Sequence, residues 1–299
     1  MSYYESRPNV SADAAALCLK SGNATILRGG SESFNSSSIL IQTINESYKK
    51  FGLPEGSLQN IPTRNRDAVG FLLKMEKYID LFVPRGGRSL IERVINESTV
   101  PVFRHLDGIC HTYVHKSSKS KIASKVVHNA KMRRPGICGA TETLLIDKDI
   151  INSHLPEIIK LLRDSNCSII GDSEILKFDD SFILATEKDW SKEYLDSIIS
   201  IKTISHGVEE AINHINKFGS GHTDSIICED RDAIELFLNK VDSGIVMHNT
   251  STQFADGGEF GMGAEIGIST SKLHARGPVG VSQLTSFKYK VRGNGQIRP

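Results

Sequence analysis

The sequence predicts an α/β fold built on parallel strands. Short apolar runs alternate with helical patterns along most of the chain. Glycine-marked turns stand where a strand passes into a helix, at Arg28-Gly-Gly-Ser31 and Pro84-Arg-Gly-Gly87. The 299 residues are 39% hydrophobic and 24% charged, an ordinary globular balance with room for one large domain or two.

The elements follow in order. An Ala- and Leu-rich helix spans 11–20 and stops at Gly22. A short strand at 24–27 ends in the first glycine turn. Phe34, Ile41, Ile44, Tyr48 and Phe51 share one helical face, ended by Gly52. Strands are expected at 58–61, 78–83 and 100–104, with helices at 66–77 and 89–96. A strand at 109–114 and a helix at 120–132 lead to Cys138, followed by a strand at 142–146. Helices at 149–163, 207–217 and 233–241 then alternate with strands at 168–171, 225–228 and 244–248. The alternation of Phe287, Tyr289 and Val291 predicts an exposed or edge strand over 284–291.

Lys plus Arg number 36 against 35 acidic residues, a net charge of +1, so nothing points to nucleic acid or a membrane surface. The five cysteines are odd in number and irregularly spaced, with no CxxC pair, which fits a reduced chain. The first residues lack a basic segment followed by an apolar run, so no signal peptide is expected. No apolar run approaches spanning length.

Cys138 is the focal residue. Pro135-Gly136 breaks the backbone before it, Gly139 and Ala140 leave the sulfur little cover, and Lys131, Arg133 and Arg134 lie upstream. Nearby positive charge favours the thiolate, which is the nucleophile. A core cysteine acting as a small hydrophobe is the plain alternative, and local chemistry leaves the two open. His222 or His248 could serve a hydrolase-type cysteine as base. The two glycine turns are candidate anion sites, since N–H groups at a helix start attract phosphate. His105, Cys110, His111 and His115 suggest a metal, but Cys110 falls on the opposite strand face and no metal is assigned. Gly261-Met-Gly263-Ala-Glu-Ile-Gly267 nearly matches a dinucleotide fingerprint, yet its third glycine is one place late and no strand precedes it. A loop lining an active site is the better expectation.

Long runs across the whole chain resemble the γ-glutamyl phosphate reductase family. They include Ser6–Glu32, Val83–Gly87, His105–His111, Arg134–Cys138, Ser220–Thr223, Asp256–Thr270, Lys272–Pro278 and Val291–Arg298. The family lies in the aldehyde dehydrogenase superfamily. The resemblance implies a partial Rossmann-type cofactor-binding domain at 1–104, an α/β catalytic domain at 105–270, and a C-terminal return and oligomerisation strand at 271–299. It implies NADPH-dependent reduction of L-glutamyl 5-phosphate to glutamate 5-semialdehyde and phosphate, in proline biosynthesis. Cys138 would form a thioester, with Asn9 and the Cys138 N–H stabilising the oxyanion. Arg28 and Ser31 would lie near the 2′-phosphate of NADP, and Gly86 and Gly87 beside the pyrophosphate. Near His105, hydrolytic relatives carry a water-activating glutamate. The resemblance further implies a homo-oligomer, glutamate 5-kinase as a partner, and a cytoplasmic place.

Two departures accompany it. Family members carry an N-terminal segment ahead of the point where this chain starts, so an active short enzyme, a piece of a split enzyme, and a catalytically impaired remnant are all readings of the sequence. Gly139 stands where an asparagine is expected, and Arg133 where a glutamine is.

Overall fold

The computed structural model describes residues 1–103, 105–272 and 274–299. Arg104, the end of an expected strand, and Leu273, within the Lys272–Pro278 run, lie outside the described residues.

The first sheet holds β1 (Ser2–Tyr4), β2 (Thr25–Gly29), β3 (Leu58–Asn60) and β4 (Val83–Arg85). All pair in parallel, in the order β3-β2-β1-β4. Helices α1 (Val10–Lys20), α2 (Phe34–Lys50) and α3 (Asp67–Leu72) connect them, and α4 (Arg88–Glu97) follows β4. Successive strand residues face opposite sides. Tyr4 and Leu27 therefore pack with Ala14 and Leu17 of α1 and Ile41 of α2. Tyr3 packs on the other side with Val69 and Leu72 of α3 and Ile91 and Val94 of α4. Both faces are thus covered, as a parallel sheet requires. The chain moves outward from β1 to β3, then returns to lay β4 on the free side of β1. That reversal puts a ligand-type crevice at the carboxyl ends of β1 and β4, where Glu5 and Arg85–Gly87 stand. Pro84 is tolerated because β4 is the outermost strand of this sheet.

The second sheet holds β5 (Cys110–Val114), β6 (Thr141–Asp147), β7 (Ser168–Gly171), β8 (Ile183–Leu184), β9 (Ile198–Ile204), β10 (Thr223–Ile227) and β11 (Ile245–His248). Its order is β11-β10-β5-β6-β9-β7-β8, again parallel throughout. Leu144 faces α5 (Ser120–Met132) and α6 (Ile151–Asp164), among Val127, Leu155 and Ile158. Leu145 faces α7 (Val208–Phe218) and α8 (Arg231–Lys240), among Ala211, Ile215 and Phe237. Burying each such leucine contributes roughly 2 kcal/mol. After β11 the short antiparallel pair β12 (Ile268–Ser269) and β13 (Gly277–Pro278) forms, and Ile266, Ala275 and Val279 return to the core of the first sheet.

Several expectations change. The helix at 66–77 shortens to Asp67–Leu72, and the strand at 78–83 shifts to Val83–Arg85. The strand at 100–104 is reduced, among described residues, to one bridge between Phe82 and Val102. β8 and the central strand β9 were not anticipated. The C-terminal strand is corrected: beyond a 3-10 turn at Ser282–Leu284 the tail joins no sheet, and Phe287, Tyr289 and Val291 are 83%, 86% and 91% exposed. A strand needs a ladder partner, and within the single chain the described residues supply none.

Candidate active site

Cys138 lies in the loop from α5 to β6, at the amino end of the second sheet. β5 and β10 begin beside it, so Gly108–Cys110 and Ser220–Thr223 reach the same place. The α5 helix ends at Met132, and Pro135-Gly136 turns the chain away, as their backbone chemistry requires. A short turn closes with Ala140 N–H donating to the Ile137 carbonyl at 3.0 Å.

This loop is clamped from below. Thr252 Oγ1 donates to the Gly139 carbonyl at 2.7 Å. Gln253 Nε2 donates to the Ala130 carbonyl at 2.9 Å. The Cys110 thiol donates to the Cys138 carbonyl at 3.1 Å. Gly108 presses directly on the nucleophile's backbone: a Cβ there would stand 2.1 Å from the Cys138 carbonyl oxygen and 2.5 Å from its Cα. Gly108 in turn donates its N–H to Glu193 Oε1 at 2.8 Å, and Ile109 N–H donates to Ser220 Oγ at 2.9 Å.

The electrostatics differ from the sequence expectation. Burial, then the Glu193 and Glu265 carboxylates, push the Cys138 thiol up to about 11. Arg85 and the residue's own backbone N–H act the other way. The upstream basic cluster does not supply the opposing charge. Lys131 is fully buried and paired with Glu142 at 2.5 Å, while Arg133 and Arg134 are exposed. Burial raises Glu142 to about 7, against the lowering effect of Lys131. Arg85 reaches the region from β4, with Nη1 donating to the Ile266 carbonyl at 2.8 Å. It thereby links the first sheet to the glycine-rich loop that carries Glu265.

Two histidines meet at the sulfur. His105, Cys138 and His222 each place a ligand-type atom within 4.8 Å of the other two. The imidazole centroids of His105 and His222 are 5.0 Å apart. His222 is fully buried, and its Nδ1 lies 2.8 Å from Thr223 Oγ1 and 3.6 Å from the Cys110 sulfur. Burial holds both rings neutral, His105 down to about 4 and His222 to about 3. His111 and His115 go elsewhere. His111 Nδ1 meets Asp224 at 2.9 Å, and His115 Nδ1 meets Ser117 at 2.9 Å. His248 faces the Cys228 carbonyl at 2.7 Å.

The remaining expected residues lie on the first sheet and its turns, each with local contacts. Asn9 is exposed at the start of α1, with Nδ2 donating to Asp13 at 3.1 Å. Arg28 is 1% exposed. Its guanidinium lies over Tyr3 and donates to the Arg64 and Asn65 carbonyls at 3.1 and 3.3 Å, while Nε has no partner among described residues. Ser31 is exposed on the turn after β2. Gly87 N–H donates to Glu5 Oε2 at 2.8 Å, and a Cβ on Gly30 would come within 2.3 Å of the Glu5 carbonyl oxygen. These are close backbone approaches at the switch point, the kind a dinucleotide turn needs. The Gly261–Gly267 run has no strand before it and no helix after it, so it is no fingerprint. It is a loop, with positive φ at Gly261 and Gly263, that delivers Glu265 toward Cys138.

Beside the histidines a cleft of about 780 Å³ opens, lined in part by Val102, Leu106, Asp107, Ile109 and Ser220. Not anticipated from sequence were the roles of Gly108, Cys110, Thr252 and Gln253 around the loop, and of Glu193 and Glu265. Glu193 lies in a stretch without helical or alternating pattern, so no local signal marks it.

No protein-family model matches the sequence. A γ-glutamyl phosphate reductase of Paramagnetospirillum magneticum is 58% identical over 296 residues, covering 99% of this chain and 70% of that protein. The enzyme of the same name from Rhodospirillum rubrum is also 58% identical, with 99% and 69% covered. The crystal structure of γ-glutamyl phosphate reductase from Thermotoga maritima aligns with a TM-score of 0.97 at 42% identity, over all of this chain and 72% of that one. An acetylating aldehyde dehydrogenase of Geobacillus thermoglucosidasius shares the fold, with a TM-score of 0.73 at 18% identity over 99% of this chain and 75% of that one.

A doubly wound sheet facing a cysteine loop at the amino end of a second parallel sheet is the aldehyde dehydrogenase-like architecture. Within it, the chain belongs to the γ-glutamyl phosphate reductase family.

Proposed function

We propose that the chain carries out the reaction for which its relatives are named, reduction of L-glutamyl 5-phosphate to glutamate 5-semialdehyde and phosphate. The observation that carries this is the 58% identity over 99% of the chain, with the whole Cys138 loop inside the matched span. The division into a cofactor-binding part at 1–104, a catalytic part at 105–270 and a C-terminal return at 271–299 belongs to the same proposal.

The Cys138 thiol gives up its proton, and the sulfur attacks the acyl carbon. A C–S bond forms, the carbon–oxygen bond to phosphate breaks, and phosphate leaves. The neutral His222 and His105 imidazoles lie within 4.8 Å of the sulfur and can take that proton. The Cys138 backbone N–H, which already faces its own sulfur, is the primary donor toward the developing oxyanion. Asn9 would join it by exchanging its Asp13 contact for the oxyanion. A lost donor of this kind costs about 2.7–4 kcal/mol of barrier.

The switch-point crevice fits a nicotinamide dinucleotide. Gly86 and Gly87 open α4, whose amino end favours phosphate. Ser31, with Arg28 at the end of β2, whose Nε has no partner among the described residues, would hold the 2′-phosphate that distinguishes NADP. Bound NADPH would supply the hydride that converts the thioester carbon to the aldehyde oxidation level. Cys138 then departs from that carbon as thiolate. His105 stands near where hydrolytic superfamily members keep a water-activating glutamate, so that position itself offers an imidazole and no carboxylate.

A homo-oligomer, association with glutamate 5-kinase, and a cytoplasmic place are parts of this proposal that rest on family likeness. No helix among the described residues is long and apolar enough to cross a membrane. The test is intact-mass and peptide analysis after mixing the chain with glutamate 5-semialdehyde and NADP without phosphate. A glutamyl adduct on the Cys138 peptide supports the reading, and an adduct-free or elsewhere-modified chain removes it.

A further inference from the structure

The His105–Cys138–His222 cluster has a property that the reductase chemistry does not use. One sulfur and two imidazole nitrogens converge within 4.8 Å. His222 is completely buried and its Nε2 has no hydrogen-bond partner among described residues; the same is true of His105 Nδ1. Burying an imidazole nitrogen without a partner is costly, and two rings with such a nitrogen converging on one thiol are an arrangement a metal ion can satisfy. The other ring nitrogen of His222 already rests against Thr223 Oγ1 at 2.8 Å. That is the outer contact which fixes a metal-binding histidine's tautomer and orientation. The carboxylates of Glu193 and Glu265 bear on the same sulfur and favour an incoming cation, with Arg85 as the opposing charge.

We propose that His105, Cys138 and His222 form a zinc-type site in which a divalent borderline-soft cation reversibly masks the nucleophile. Zinc–sulfur and zinc–nitrogen bonds of about 2.3 and 2.0 Å put tetrahedral ligands roughly 3.5 Å apart. The present separations, within 4.8 Å, would have to close to that value on binding. The donor set, one thiolate and two imidazoles with an open fourth position, is one zinc accepts and magnesium or calcium does not. Binding balances as Zn²⁺ plus Cys138–SH giving Zn–S–Cys138 plus H⁺. No electron moves, and the two neutral imidazoles donate lone pairs. A sulfur held this way cannot attack an acyl phosphate, so the cation acts as a reversible block.

Binding is read without turnover, so its failure and the failure of the reductase reading are separate outcomes. The full chain is titrated with Co²⁺, then with Zn²⁺, then with a chelator. The expected result is one Co²⁺ per chain with a thiolate-to-cobalt absorption band that Zn²⁺ displaces and the chelator abolishes. Zn²⁺ should slow iodoacetamide labelling of Cys138 in proportion to occupancy. Cys138→Ser should remove the band. His222→Gln and His105→Gln should each weaken binding at least about tenfold, while circular dichroism shows each variant folded. Absence of the band in the native chain, or a band unchanged in Cys138→Ser or in both folded histidine variants, overturns the proposal.

Discussion

Gly108 lies so close to Cys138 that a single added carbon would stand 2.1 Å from the Cys138 carbonyl oxygen. The position of the nucleophile is therefore set by a residue with no side chain. Gly108→Ala should move the cysteine loop or strain β5, costing about 1–3 kcal/mol of stability. Displacing a reacting atom by an ångström costs roughly a hundredfold in rate. Activity should thus fall far more than the urea midpoint does. A variant with native turnover would show that this contact does not position Cys138.

The thiol of Cys138 is pushed up to about 11, so in the free chain it is protonated at neutral pH. Its iodoacetamide labelling rate should keep rising through pH 9 and 10 rather than level off near the ordinary thiol value. Arg85→Ala removes the cation that holds the value down, and should lower labelling further at any one pH. A plateau below pH 8 would contradict the electrostatic account.

Much of this architecture was legible in the sequence. Helices α1, α5 and α7 and strands β5, β6, β7 and β11 fall where periodicity placed them, because each buries apolar side chains. α2 also does, though it buries only Ile41 of the expected face fully and leaves Phe51 exposed. β9 was missed although Ile198–Ile204 is β-branched and runs into Gly207 and the expected helix at 207–217, because nothing in the irregular stretch before it marks where a strand begins. The tail strand failed for the opposite reason: alternation in Phe287, Tyr289 and Val291 is real, but pairing depends on a partner strand. Cys138 stood out in the sequence, whereas its neighbours Glu193 and Glu265 are brought in by tertiary folding alone. Lys131 misled for a related cause, since its nearness in sequence hid a buried partner, Glu142.

That buried pair joins the C-terminal end of α5 to the start of β6, across the cysteine loop. Glu142→Gln would leave Lys131 charged and enclosed, at a cost of about 3–5 kcal/mol. The double variant Lys131→Met, Glu142→Leu should recover most of the loss, since an apolar pair of similar volume replaces two desolvated charges. Chemical denaturation of the native chain and the two variants checks this. Equal stability of Glu142→Gln and the native chain would show the pair to be hydrated.

Three imidazoles stay neutral in the fold, with His105 lowered to about 4, His222 to about 3 and His214 to about 2, in each case first by burial. Unfolded, each titrates near 6.5. As pH falls below 6.5 the unfolded chain takes up protons that the folded chain refuses, so stability drops. Glu142 opposes this between about 7 and its unfolded value, because the folded state protonates first. His222→Gln should flatten the stability curve between pH 6 and 4 by about 1.4 kcal/mol per pH unit. An unchanged slope would mean that His222 protonates in the folded chain.

Ser31 tests the cofactor assignment. It is exposed on the turn after β2, so Ser31→Glu should fold normally and place a carboxylate where the 2′-phosphate is proposed. KM for NADPH should rise about tenfold or more by like-charge repulsion, with little change for NADH. Equal effects on both cofactors would remove Ser31 from that role.

The central claim is that Cys138 carries an acyl-phosphate reductase. It is tested most directly by mixing the purified chain with glutamate 5-semialdehyde and NADP and following NADPH with and without phosphate. The account predicts sustained NADPH formation that requires phosphate and disappears in Cys138→Ala. Without phosphate at most one NADPH per chain should form; sustained NADPH formation that needs no phosphate, or any that survives Cys138→Ala, would contradict it, as would a folded chain that binds NADP yet forms none.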